Sequence, residues 1–174
     1  NVAAINAEFA QTTDQSCLNR WITQVPWDVE QLNEHRLAWL QSHPSTRYSA
    51  RGVIAIDNTL IDHSGQLIED VGWFWDHAEK RHLIAHDYII ANYVCASGKH
   101  YPLEFRRFRK RDPEESNNES SPSFKSHTDL FKELVDWVVE REIPGAFTFD
   151  CYFSSVENLN HIHSHHRSYV GDLK

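Results

Sequence analysis

Two acids stand where acids are least expected. In GVIAID, residues 52–57, an unbroken apolar run ends on Asp57, and in GAFTFD, residues 145–150, a second run ends on Asp150. Runs of this kind suit strands buried on both faces. An ionised carboxylate at the end of such a strand is costly unless something compensates it. If the two strands are parallel neighbours, their C-terminal ends coincide. Both acids then offer hard oxygen atoms to one shared cation.

The elements that must hold them follow from punctuation and periodicity. Leu18, Trp21 and Ile22 form a helical stripe. Pro26 interrupts it, and Asp28 caps a second helix carrying Val29, Leu32, Trp39 and Leu40. This helical segment occupies residues 1–50. A first strand is expected over 52–57, and Trp73-Phe74-Trp75 lies between it and an extended run over 88–95. Ser97-Gly98 turns that run back into 101–109 as a hairpin. Residues 112–126 are polar and read as a surface insertion. Ser126 and Asp129 have capping-box spacing, opening a helix that buries Leu130, Phe131, Leu134, Val135 and Val138 before Pro144-Gly145 stops it. Strand 146–150, a short helix around 154–160 and a strand start at Tyr169 complete the chain. The expected order is three strands, a helix, a strand, a short helix and a strand. The helix before 146–150 is a crossover that permits a parallel pairing with the first strand.

Other residues invite chemistry and are weighed against plainer roles. Arg106, Arg107, Arg109, Lys110 and Arg111 place five cations in the seven residues 105–111, beside a solvated-strand reading supported by the acids of 112–119. Trp73, Phe74 and Trp75 are expected to be core before they are a stacking platform. Asp62 is expected to be solvated, and Asp76 and Asp87 to have supporting or surface roles. His161, His163 and His165 would share one face of an extended chain, and imidazole suits zinc. No Cys or carboxylate adjoins them in sequence, so they are expected to be polar loop residues.

A chain of 174 residues with 40% hydrophobic content and six Trp can build one ordinary domain core. The net charge of −8 argues against a protein that coats nucleic acid, though not against local contact at a cationic patch. No stretch has the apolar length of a membrane span. Cys17, Cys95 and Cys151 are odd in number and widely spaced, which favours a reducing compartment over a disulfide framework or zinc knuckle.

Three stretches, LNRWITQVPWDVEQLNEHRLAWL (18–40), the segment 52–111 with IDNT, GWFWDHA and HYPLEFR, and FTFDCYFSS (147–155), together resemble DDE-type insertion-sequence transposases. The resemblance implies an α/β, ribonuclease-H-like mixed sheet over 51–174, incomplete here, behind the helical segment. It implies that Asp57 and Asp150 are the first and second catalytic acids and ligands for Mg²⁺ or Mn²⁺. Asn58 stands where the family often has a second Asp. The third acid, a Glu in a Tyr-xx-Arg-xxx-Glu-like signature, is expected beyond Lys174, so the chain reads as an N-terminal portion. Arg106, Arg107, Arg109, Lys110 and Arg111 would then touch phosphates of double-stranded DNA, both element ends and target. Assembly as a homo-oligomer on DNA, a bacterial-type cytoplasmic setting with nucleoid association, and no membrane partner are further expectations. The alternative reading is a non-catalytic DNA-binding fragment that interferes with a full-length enzyme.

Overall fold

A computed structural model of the chain describes residues 7, 14–64, 68–110 and 124–172. Two compact units divide it, Asn1–Trp39 and Leu40–Lys174. In the first unit, Asp14 caps helix α1 (Gln15–Gln24) through a 3.0 Å bond accepted from the Ser16 amide. Pro26 follows α1, and Asp28 accepts from the Gln31 amide at the start of helix α2 (Val29–Ser42). The apolar stripe expected of these helices is largely exposed: Trp21, Val29, Leu32 and Trp39 all face solvent, while Leu37 is buried.

The second unit holds a six-stranded mixed sheet. Its strands are β1 (Val53–Asp62), β2 (Gly72–Asp76), β3 (Arg81–Val94), β4 (His100–Phe108), β5 (Ala146–Phe149) and β6 (Tyr169–Gly171). The order across the sheet is β2-β3-β1-β5-β6, with β4 also pairing β3. Strand β3 is 14 residues long, enough to take β2 against its first half and β4 against its second on one side. Four strands therefore precede the crossover helix, not three, because Trp73-Phe74-Trp75 forms a ladder of its own with Leu83 and its neighbours.

Helix α3 (His127–Glu140) begins at the expected capping box. The Asp129 amide donates to Ser126 Oγ, and Asp129 Oδ2 accepts from the Ser126 amide at 2.8 Å. Leu130, Phe131, Leu134, Val135 and Val138 are all buried, and Trp137 joins them under the Arg141 guanidinium. Along β1 the residues at 54 and 56 are buried while 53 and 55 are only half-buried. The buried face carries Ile54, Ile56, Ile89, Ala91, Phe147 and Phe149, and Phe131 of α3 packs on Phe149 at 5.3 Å. Each large apolar side chain buried there contributes about 1.5–3 kcal/mol. Helix α4 (Val156–Ser164) closes the same core through Ile162, and Asn158 donates to the Phe153 carbonyl at 3.0 Å.

Two glycines let the central parallel strands meet. Gly145 sits at φ +127°, and a side chain there would come within 2.5 Å of the Gly52 carbonyl oxygen. A side chain on Gly52 would overlap the Tyr93 hydroxyl, which is held by the backbone of Ser49. Both apolar runs thus open on a glycine, Gly145 because it lies against the Gly52 backbone and Gly52 because the Tyr93 ring fills its side-chain space.

Candidate active site

Strands β1 and β5 are parallel, and each residue n of the ladder pairs with n + 93: Val53 with Ala146, Ile54 with Phe147, Ala55 with Thr148. The same offset carried two residues past that ladder sets Asp57 beside Asp150. Strand β1 does not end at Asp57, as its sequence implies; it continues to Asp62 because β3 accompanies it antiparallel as far as Ala85. What ends there is β5, at Phe149. Asp57 therefore lies in mid-strand against β3, where Ile90 is its partner, and at an opening on the β5 side.

The electrostatics agree with that placement. The Asp57 carboxyl is raised above its ordinary value, chiefly by the protein packed around it. The Asn58 amide, donating to Oδ1 at 2.8 Å, pulls it back, and the negative charge of Asp150 pushes it up again. Asp150 fixes its own Oδ1 on the Tyr152 amide at 3.0 Å. Among the described residues, Oδ2 of both acids makes no hydrogen bond or ion pair. Two carboxylates that repel each other, each holding one oxygen on a backbone N–H, form a donor set that fits a hard divalent cation.

A third acid, Asp87, for which the sequence suggested a supporting or surface role, also acts on Tyr152. Asp87 on β3 is 3% exposed, and its Oδ2 pairs with His127 Nε2 at 2.8 Å. The His127 ring stacks on Phe108 at 3.9 Å and meets the edge of Tyr152 at 5.6 Å. Asp87 Oδ1 is buried without a hydrogen-bond partner among the described residues. The Tyr152 phenol is raised by burial, then by the charges of Asp87 and Asp150, so it stays protonated. Nothing in sequence pairs residue 87 with 127; the crossover helix does. Of the other acids, Asp62 pairs with Arg81 at 3.6 Å, and Asp76 accepts the Ala78 amide in a turn.

The basic run is split by strand alternation. Arg106 reaches Glu104 at 3.2 Å and Glu133 of α3 at 3.4 Å. Arg107 and Arg109 both pair with Asp70, and Lys110 donates to the Trp73 carbonyl and rides over the Phe74 ring. Arg111 lies outside the described residues, as does most of the polar insertion. The aromatic trio is not core as a group: Phe74 is buried, whereas Trp73 and Trp75 are 57% and 44% exposed. Single-strand alternation puts only the middle ring inward.

The histidines depart from expectation for a similar reason. Helix α4 runs to Ser164, beyond the expected end, so His161 and His165 share a face and His163 does not. A carboxylate does stand beside them, Asp136 of α3.

The mixed sheet with its crossover helix α3 and following α4 defines a ribonuclease-H-like α/β protein. The chain belongs to the DDE superfamily endonucleases, whose family model matches residues 2–174. No curated protein matches it. Nuclease or transposase-type chemistry on DNA, supported by divalent metal ions, is the property of that family. Among the described residues no helix is long and apolar enough to cross a membrane.

Proposed function

We propose that this chain carries the first two acids of a DNA transposase that cuts and joins phosphodiester bonds at insertion-sequence ends, with Asp57 and Asp150 as ligands for Mg²⁺ or Mn²⁺. The observation that supports this most is the shared register of the two acids and the push of Asp150 on the Asp57 carboxyl. Bound divalent ions in such a site ease deprotonation of the attacking oxygen and offset charge on the leaving oxygen.

The chain's own residues prepare for that chemistry. The Asn58 and Tyr152 amides orient one oxygen of each acid, so ligand geometry is set by backbone and not by flexible side chains. Tyr152, kept neutral beside Asp150, offers a hydroxyl hydrogen to an anionic phosphate without adding negative charge. Arg107, Arg109, Lys110 and Arg111 supply DNA phosphate contacts, with Asp70 competing for the first two. Phosphate contacts of this kind position the duplex without reading its sequence. The setting is the cytoplasm, where the element's DNA lies, and the enzyme works as a homo-oligomer on DNA.

The test is strand nicking of an end-containing duplex with Mg²⁺ by the protein. Asp57→Asn and Asp150→Asn should each abolish nicking. Cleavage that survives both substitutions rules the assignment out.

A further inference from the structure

Away from Asp57 and Asp150, two helices bring together a different set of donors. Asp136 is in the penultimate turn of α3, and His161, in the last turn of α4, stands four residues before His165, the residue that caps it. His161 Nε2 lies 2.7 Å from Asp136 Oδ1, and His165 Nε2 lies 2.8 Å from the same oxygen. The ligand atoms of the three residues all fall within 4.8 Å of one another. The geometry points to a transition-metal site, best suited to Zn²⁺, made of His161, His165 and Asp136 and separate from the two-acid site.

The donor chemistry chooses the ion. Two imidazoles and one carboxylate suit zinc and its neighbours in the first transition row, while Mg²⁺ prefers oxygen alone. With metal–ligand bonds of about 2.0–2.1 Å, the edge of a zinc tetrahedron is about 3.3 Å. The two hydrogen-bonded contacts need to open by about half an ångström to accept an ion, within the reach of small χ adjustments. Without metal, each Nε2 carries a hydrogen donated to Asp136. With metal, that hydrogen resides on Nδ1 and the Nε2 lone pair is released for bonding.

Two features of the surroundings favour a cation. The site is at the C-terminal end of α4, where unpaired carbonyls concentrate negative charge. The side chains are 24%, 30% and 41% exposed for His161, His165 and Asp136, leaving a fourth position within reach of solvent. Such an ion would clamp α4 to α3. Helix α4 follows directly on the turn that carries Asp150, so the clamp fixes the far side of that turn.

Titration of the metal-free protein with Co²⁺ tests this, because Co²⁺ in a tetrahedral site with nitrogen ligands absorbs strongly in the visible. The expected result is saturation at one ion per chain, with Zn²⁺ displacing the signal and raising the thermal midpoint. His161→Gln and His165→Gln should each weaken binding by about tenfold or more, and His163→Gln should leave it unchanged. An Asp57→Asn, Asp150→Asn double variant should keep the full signal, so failure of this site and failure of the two-acid site read out separately. Should His161→Gln unfold by circular dichroism, Asp136→Asn replaces it as the ligand-loss variant. Absence of tetrahedral absorption, or absorption unchanged in both histidine variants, overturns the assignment.

Discussion

Asp57 and Asp150 are separated by the same offset of 93 that pairs Val53 with Ala146 across the β1–β5 ladder. Carried two residues past the last pair, Ala55 with Thr148, that offset brings the two acids to the point where β5 stops and β1 continues. Like charges brought together at a partly enclosed carboxylate cost the fold, and that cost is measurable.

Asp57 has a folded-state carboxyl pKa above the ordinary 3.8. A raised carboxyl binds protons more tightly in the folded state, so its stabilising contribution is present below about the unfolded value and is lost as pH rises through the folded value. In metal-free buffer at neutral pH, Asp57→Asn should therefore raise the thermal midpoint. The difference should shrink as pH falls toward the unfolded value. Adding Mg²⁺ should stabilise the wild type and not the variant. A midpoint for Asp57→Asn at or below wild type in EDTA at neutral pH would contradict this electrostatic account.

Gly145→Ala should cost about 1–3 kcal/mol from the positive φ alone. Displacement of the Gly52 backbone adds to that figure. Chemical denaturation measures the loss, and a change under about 0.5 kcal/mol would show that the two backbones are not in close approach.

His127→Ala removes the one side-chain hydrogen bond that buried Asp87 makes among the described residues. Leaving that charge without its partner should cost about 3 kcal/mol. Adding Asp87→Asn to His127→Ala should recover part of the loss by removing the uncompensated charge. Equal stability of the single and double variants would mean that the loss comes from the His127 ring's packing on Phe108 and not from the unpartnered carboxylate.

Ser126→Ala removes the hydroxyl half of the α3 capping box, leaving the residue-126 amide on Asp129, and should cost about 1 kcal/mol by denaturant titration. A loss near zero would mean that the tertiary contacts of α3 alone hold its first turn.

Asp70→Asn removes the acid shared by Arg107 and Arg109. Affinity for duplex DNA should rise, and log affinity should fall more steeply with log salt, by about one to two added phosphate contacts. Arg107→Ala should flatten the same plot. Slopes that do not change in either variant would remove these cations from the DNA contact.

The local elements were legible because local rules govern them. The capping box at Ser126, the stripe from Leu130 to Val138, the hairpin turn at Ser97-Gly98 and the glycine-led apolar runs are short-range signals that the folded chain keeps. Acid-ended strands at 57 and 150, with the crossover between them, were enough to suggest a parallel pair. Pairings that depend on which helix lies over which strand were not legible: Asp87 with His127, Arg106 with Glu133, and Asp136 with the two histidines. Their residues are 25 to 40 positions apart and share no periodic pattern. The length of α4 decided the histidines, since helical spacing unites 161 with 165 while an extended chain would have united 161 with 163. Sequence determines what each segment prefers to be, because propensity and patterning act over a few residues. Only packing of α3 and α4 on the sheet decides which distant side chains share a neighbourhood.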